Sequence, residues 1–130
     1  MKIAVCPGSF DPITLGHLPQ RRLELARLAV REMPNVEAEL WQGLLADYAR
    51  QRGAAFLVKG VRCGTDFDNE YQMAWINQGL APELETVLLP ARPEFIYFSS
   101  TMAREMIRYG QKLERYLPSA VAEEIGKGMG

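Results

Sequence analysis

The chain has 130 residues, one domain's worth, with 48% apolar and 24% charged residues, a globular mix that excludes general disorder. Its 15 Lys and Arg against 16 Asp and Glu leave a net charge of -1, so no global basic field exists for nucleic acid, and any anion must be held by a local cluster. Cys6 and Cys63 make no disulfide framework, the single histidine His17 excludes multi-histidine metal sites, and the opening apolar stretch is too short for a signal peptide or a membrane span, which points to a cytoplasmic protein with no membrane partner.

Ile3–Cys6 is a short apolar run ended by Pro7-Gly8 and reads as a buried strand. Residues 8–16 form a turn leading into a first helical turn. Gln20–Met33 has a helical pattern, stopped by Pro34. Val36–Leu40 alternates apolar and acidic residues and predicts an edge strand with one wet face. Leu44–Arg52 predicts a short helix with Gly53 at its C′ position. Ala54–Val58 is a second continuous apolar strand, Phe67–Gln78 a helix, and Glu85–Leu89 a strand ended by Pro90. Ser99–Tyr109 reads as a helix stopped by Gly110, and Pro118, at a first helical position, opens a last helix to Ile125 before a frayed tail. Strands alternating with helices, and strands that are continuously apolar, predict an α/β fold with a doubly wound parallel sheet in one domain spanning residues 1–130.

One junction lacks local logic. Pro19 suits a first helical position, but Leu18 before it offers no capping oxygen. A helix begun near Thr14 would be broken by Pro19 in its second turn. Leu18–Pro19 reads as a seam.

Three stretches can carry chemistry. In the first, residues 7–17, Gly8 allows close backbone approach and Ser9 offers a hydroxyl and an N–H. Thr14 and His17, three apart, share a face of a helical turn, with Gly16 clearing space beside the imidazole. A strand handing over to a helix is where phosphates bind; a tight turn with a chance histidine is the plainer alternative. The second, Val58-Lys59-Gly60-Val61-Arg62, follows a buried strand. A parallel sheet holds ligands at the carboxyl ends of its strands, so Lys59 and Arg62 would reach the same rim as His17; taken alone, they are more simply solvated loop cations. In the third, Phe98-Ser99-Ser100-Thr101, the hydroxyls open a helix and are most simply caps, though they also fit a phosphate. Asp66, Asp68 and Glu70 could hold a metal or adenosine hydroxyls; Asp66 and Asp68 are read as favouring a helix start through its dipole. Met73, Trp75 and Ile76 read as core or subunit interface, and Tyr97 and Phe98 as loop packing.

Together these residues resemble the bacterial phosphopantetheine adenylyltransferases, of the nucleotidyltransferase superfamily with the T/H-x-G-H signature, here Thr14-Leu15-Gly16-His17. The matching blocks are Pro7–Thr14, Gly16-His17, Gly60-Val61-Arg62, Asp66-Phe67, Glu70, Gln72-Met73-Ala74, Asn77, Ala81–Val87 and Phe98-Ser99-Ser100, nearly the whole chain in order. The resemblance implies a Rossmann-like fold and in-line transfer of the adenylyl group of ATP to 4′-phosphopantetheine, giving dephospho-coenzyme A and pyrophosphate with no covalent intermediate. It implies catalytic roles for His17, Lys59 and Arg62. ATP would be held by Ser9, Phe10, His17, Gly60, Arg62, Glu70, Ser99, Ser100 and Thr101, and phosphopantetheine by Ser9, Lys59 and Asn77. Mg²⁺ would come with ATP and take few or no protein ligands. A homohexamer is the implied assembly.

Two departures stand out. Lys59 occupies a position where the family usually has arginine, keeping the charge but losing the planar fork. After Leu18 the family continues through a further strand and a loop carrying a lysine near the reacting phosphate. Here that strand-plus-loop segment, about 30 residues on the scale of a β-α-β unit, is absent. The preferred reading is that the working molecule retains it. The alternatives are another nucleotidyltransferase, such as a cytidylyltransferase, and a nucleotide- or coenzyme A-binding protein that no longer catalyses.

Overall fold

The three apolar runs pair with one another, but they are not buried on both faces as the sequence suggested: of the strand residues only Leu57 is buried, and β3 alternates, leaving Val87 and Leu89 exposed. In a computed structural model, which describes residues 2–8, 19–95 and 100–128, β1 (Ala4–Val5), β2 (Phe56–Val61) and β3 (Glu85–Pro90) form a parallel sheet in the order β1-β2-β3. Ala4 lies opposite Phe56, Phe56 opposite Glu85, and Val61 opposite Pro90. The helices are α1 (Pro19–Val30), α2 (Leu45–Gln51), α3 (Gly64–Leu80), α4 (Ser100–Arg108) and α5 (Ser119–Gly128), with a 3₁₀ turn at Pro93–Phe95. The described residues divide into two compact units, residues 2–8 with 41–95 and residues 19–40 with 100–128.

In the first unit, Leu57 of β2 packs with Ala46 and Ala49 of α2 and with Ala54, Ala81 and Leu84, and Ile3, Val5 and Leu45 close around them. Small residues on α2 let the helix lie close to the strand. α2 ends as predicted at Gly53, whose φ of 66° is one that glycine adopts without strain. Gly53 donates its N–H to the Arg50 carbonyl (3.1 Å) and Ala54 to the Ala49 carbonyl (2.8 Å), a Schellman closure. That closure takes the Ala54 N–H, so β2 starts later than the predicted Ala54.

The second unit packs Leu25 of α1 with Ile107 of α4, Leu113, and Val121, Ala122 and Ile125 of α5. Arg21 joins α1 to α5 through Glu124 (2.9 Å) and also meets Glu24 (3.1 Å). Accepting from Arg21 holds the Glu124 carboxyl below its ordinary range, and the same bond raises the Arg21 guanidinium. α4 ends at Gly110 as predicted, in a second Schellman closure that uses the Ile107 and Met106 carbonyls.

Several boundaries differ from the sequence reading. Val36–Leu40 forms no strand: Val36 donates its N–H to the Met33 carbonyl (3.1 Å), closing a turn. A two-residue period yields a strand only where a neighbouring ladder takes up the backbone groups. α1 stops at Val30 rather than Met33: Pro34 has no N–H to give the Val30 carbonyl, which accepts the Met33 N–H (2.9 Å) in a tighter turn. α5 begins one residue after Pro118 and runs through Gly128, beyond the predicted Ile125, since buried Val121, Ala122 and Ile125 dock it. Among the described residues, no helix is long and apolar enough to cross a membrane.

Leu57 is 1% exposed at the centre of its cluster. Leu57→Ala is expected to cost about 2–5 kcal/mol, seen as a lowered urea midpoint at unchanged slope. A loss under about 0.5 kcal/mol, the range for surface sites, would contradict this placement.

Candidate functional site

β2 does not stop at Val58 but continues through Lys59 and Gly60 to Val61, opposite Leu88, Leu89 and Pro90. The predicted loop is therefore strand up to Val61, whose carbonyl accepts the Ala91 N–H (2.8 Å). Side chains alternate along a strand, so Lys59 shares the face of Leu57 while Gly60 lies on the opposite face. Among the described residues, apart from Gly60 and its chain neighbours, no heavy atom lies within 4 Å of where a Gly60 methyl would be.

Arg62 leaves the strand and Cys63, in extended conformation, precedes the first residue of α3 without a side-chain cap. Asp66, in the first turn, instead reaches back past the cap position. Its Oδ2 accepts the backbone N–H of Arg62 (3.0 Å) and the Nε–H of the same residue (3.1 Å). The backbone N–H, then the guanidinium, hold the Asp66 carboxyl below the ordinary aspartate range, with help from Cys63. One turn further on, Glu70 Oε2 meets Lys59 Nζ at 3.1 Å, and both side chains are about a quarter exposed (23% and 25%). Asp66 and Glu70 are four apart and share a face of α3, so two carboxylates from the helix meet two cations from the strand end.

Asn77 lies seven residues beyond Glu70, about 10 Å along the helix axis, on nearly the same face. It is 7% exposed, and its carbonyl accepts the Ala81 N–H (2.8 Å) near the end of α3. Lys59, Gly60, Arg62, Glu70 and Asn77 are thus gathered on β2 and α3 of the first unit. Thr101 is exposed in the first turn of α4, which opens at Ser100 in the second unit. Ser9, Phe10, His17 and Ser99 lie outside the described residues, as do Thr14, Gly16, Leu18, Tyr97 and Phe98.

Sequence reasoning placed Lys59 and Arg62 at the ligand rim, with solvated loop cations as the plainer alternative, and read Asp66 as a dipole partner. The pairing with Glu70 and Asp66 was missed; the signal was the matching of carboxylates four apart with cations three apart. Met73, Trp75 and Ile76 are not core, since each is about half or more exposed. Phe67, Tyr71 and Trp75 instead form an exposed ladder on α3, with ring centroids 6.0 and 6.2 Å apart. Cys6 and Cys63 are free and exposed. No group of three His, Cys, Asp or Glu among the described residues is placed to hold a metal ion.

An open parallel sheet with charged side chains at the carboxyl end of its central strand defines a Rossmann-like α/β protein. Residues 19–106 match the cytidylyltransferase-like family. The phosphopantetheine adenylyltransferase of Caldanaerobacter subterraneus subsp. tengcongensis is 33% identical over an alignment covering 96% of both chains. That of Heliobacterium modesticaldum is 35% identical over 100% of this chain and 94% of its own. That of Desulforudis audaxviator is 38% identical over 93% and 91%. The chain belongs to the phosphopantetheine adenylyltransferase family, within the cytidylyltransferase-like proteins.

These alignments span 153, 158 and 149 positions but take in 96%, 100% and 93% of 130 residues, so in each about 28 positions face no residue of this chain. That length agrees with the segment expected to be absent, and the family match begins at residue 19, directly after the Leu18–Pro19 seam.

Because the Asp66 carboxyl is held low, the stability it contributes is present above the ordinary aspartate range and lost as pH falls through its folded value. Asp66→Asn is expected to be less stable than the parent chain at pH 7, with the gap closing below about pH 4. Denaturant titrations at several pH values check this; a gap independent of pH would contradict it.

Proposed function

We propose that this chain transfers the adenylyl group of ATP to 4′-phosphopantetheine, giving dephospho-coenzyme A and pyrophosphate. What carries the reading is the near-full-length likeness to phosphopantetheine adenylyltransferases together with the charged rim at the end of β2. An oxygen of the 4′-phosphate attacks the α-phosphorus of ATP in line. The bond from that phosphorus to the oxygen bridging the β-phosphate breaks, and pyrophosphate takes the electron pair. Nothing in this transfer needs an enzyme nucleophile, so the work is positioning and stabilisation of charge.

His17 and Arg62 would meet the charge on the transferring phosphoryl group and its leaving oxygens. Ser9 and Phe10 would hold phosphate through hydroxyl and backbone, and Gly60 would let the nucleotide approach β2 closely. Glu70, Ser99, Ser100 and Thr101 would complete the ATP site, and Ser9, Lys59 and Asn77 the phosphopantetheine site. Lys59 has three N–H donors and spends one on Glu70, so it can meet a phosphate without leaving its partner. ATP would enter as its Mg²⁺ complex, the ion belonging to the substrate. The reaction would run in the cytoplasm. The assembly proposed is a homohexamer; the exposed apolar side chains of α3, among them Phe67, Tyr71, Trp75 and Ile76, are compatible with a subunit interface.

A specific observation favours one second reading, a nucleotide- or coenzyme A-binding protein without turnover. About 28 positions of the relatives have no counterpart here. Under the main proposal, pyrophosphate appears from ATP only when phosphopantetheine is present, and His17→Ala lowers turnover by about a hundredfold or more. Normal turnover in that variant would remove the imidazole from the mechanism. Calorimetric binding of ATP with no pyrophosphate under any condition would select the second reading.

A further inference from the structure

An arginine that binds phosphate is most effective when its long side chain is already fixed, because ordering a free one costs binding free energy. Asp66 Oδ2 takes the Arg62 backbone N–H at 3.0 Å and its Nε–H at 3.1 Å, so one oxygen ties the beginning of the side chain to its far end. Among the described residues this is the one ion pair of Arg62, and it engages Nε. Among the described residues, the two Nη groups, the edge of the guanidinium that can meet two phosphate oxygens at once, have no partner. A carboxylate serving only to start α3 would need the backbone bond or the dipole alone.

We infer that Asp66 is a positioning residue, which holds the Arg62 guanidinium with its Nη edge presented to the phosphates of the nucleotide. The inference rests on the reading of Arg62 as an ATP ligand. Asp66 touches neither substrate; it acts through Arg62. Its negative charge also works against it, since a carboxylate beside the guanidinium weakens attraction for phosphate. Fixing the geometry and neutralising the charge therefore make opposite predictions for ATP affinity.

The test is calorimetric titration of Mg²⁺-ATP into the parent chain, Asp66→Ala, Asp66→Asn, Arg62→Ala and the Arg62→Ala/Asp66→Ala double variant. Asp66→Asn keeps an oxygen for the backbone N–H and serves if the alanine variant fails to fold. Asp68→Asn, exposed in the next turn position, is the control. The expected result is ATP affinity about tenfold weaker in the Asp66 variants, within about twofold in the control, and no weaker in the double variant than in Arg62→Ala. Affinity for phosphopantetheine should stay within about twofold, which general damage to the fold would not allow. Unchanged or tighter ATP binding in the Asp66 variants would overturn the inference. So would the same loss from Asp66→Ala with Arg62 present or absent. Unchanged ATP binding in Arg62→Ala, or none in the parent chain, would instead sink the reading of Arg62 on which the inference rests.

Discussion

Everything at the site depends on β2 being hydrogen-bonded in parallel on both edges, to β1 and to β3. A central parallel strand cannot slip by one residue without turning its apolar set away from the core. Leu57 must face the alanines of α2, and Lys59, two residues on, must then emerge on the same face, towards α3. The position of the cation thus follows from the packing of a leucine. Gly60 is set by the same alternation on the opposite face, where, among the described residues and apart from its chain neighbours, nothing lies within 4 Å of a methyl placed there.

The second constraint is electrostatic. Two cations at the strand end meet two carboxylates one helical turn apart on α3, so the rim is neutral overall while remaining dense in charge. Exposed pairs of this kind add only about 0–1 kcal/mol to stability, and their larger effect is on geometry. Each cation has N–H donors beyond those its carboxylate uses, so under the proposed function an incoming phosphate would find oriented donors rather than freely moving side chains. That arrangement suits a reaction whose catalysis consists of holding phosphoryl groups in line.

Much of this was legible in the sequence. The three apolar runs did mark the strands of the parallel sheet, though not their burial, since Val87 and Leu89 of β3 are exposed; Gly53 and Gly110 marked helix ends because both adopt positive φ. The limits were physical as well. α3 begins at Gly64 rather than Phe67, because Asp66 reaches back past the cap position to Arg62, a contact that spacing suggests but propensity does not. The end of β2 was misread because Lys and Gly are poor strand formers, and only the facing Leu88 and Leu89 of β3 draw them into the ladder. Val36–Leu40 had the pattern of a strand and no ladder to join. Trp75 and Ile76 looked like core because apolar side chains usually are, yet α3 buries a narrow face carrying Asn77 and leaves its flanks in solvent.

The relatives carry about 28 positions that face no residue of this chain. The chain nevertheless retains the strand end and helix start on which the proposed chemistry rests. The central claim is that the nucleotide lies at the carboxyl end of β2, and titration of a ¹⁵N-labelled chain with Mg²⁺-ATP tests it most directly. The largest amide shifts should fall on residues 59–62 and on Asp66 and Glu70. Shifts gathered instead at the opposite strand ends, around Ala55, Phe56 and Glu85, with residues 59–62 unmoved, would contradict it.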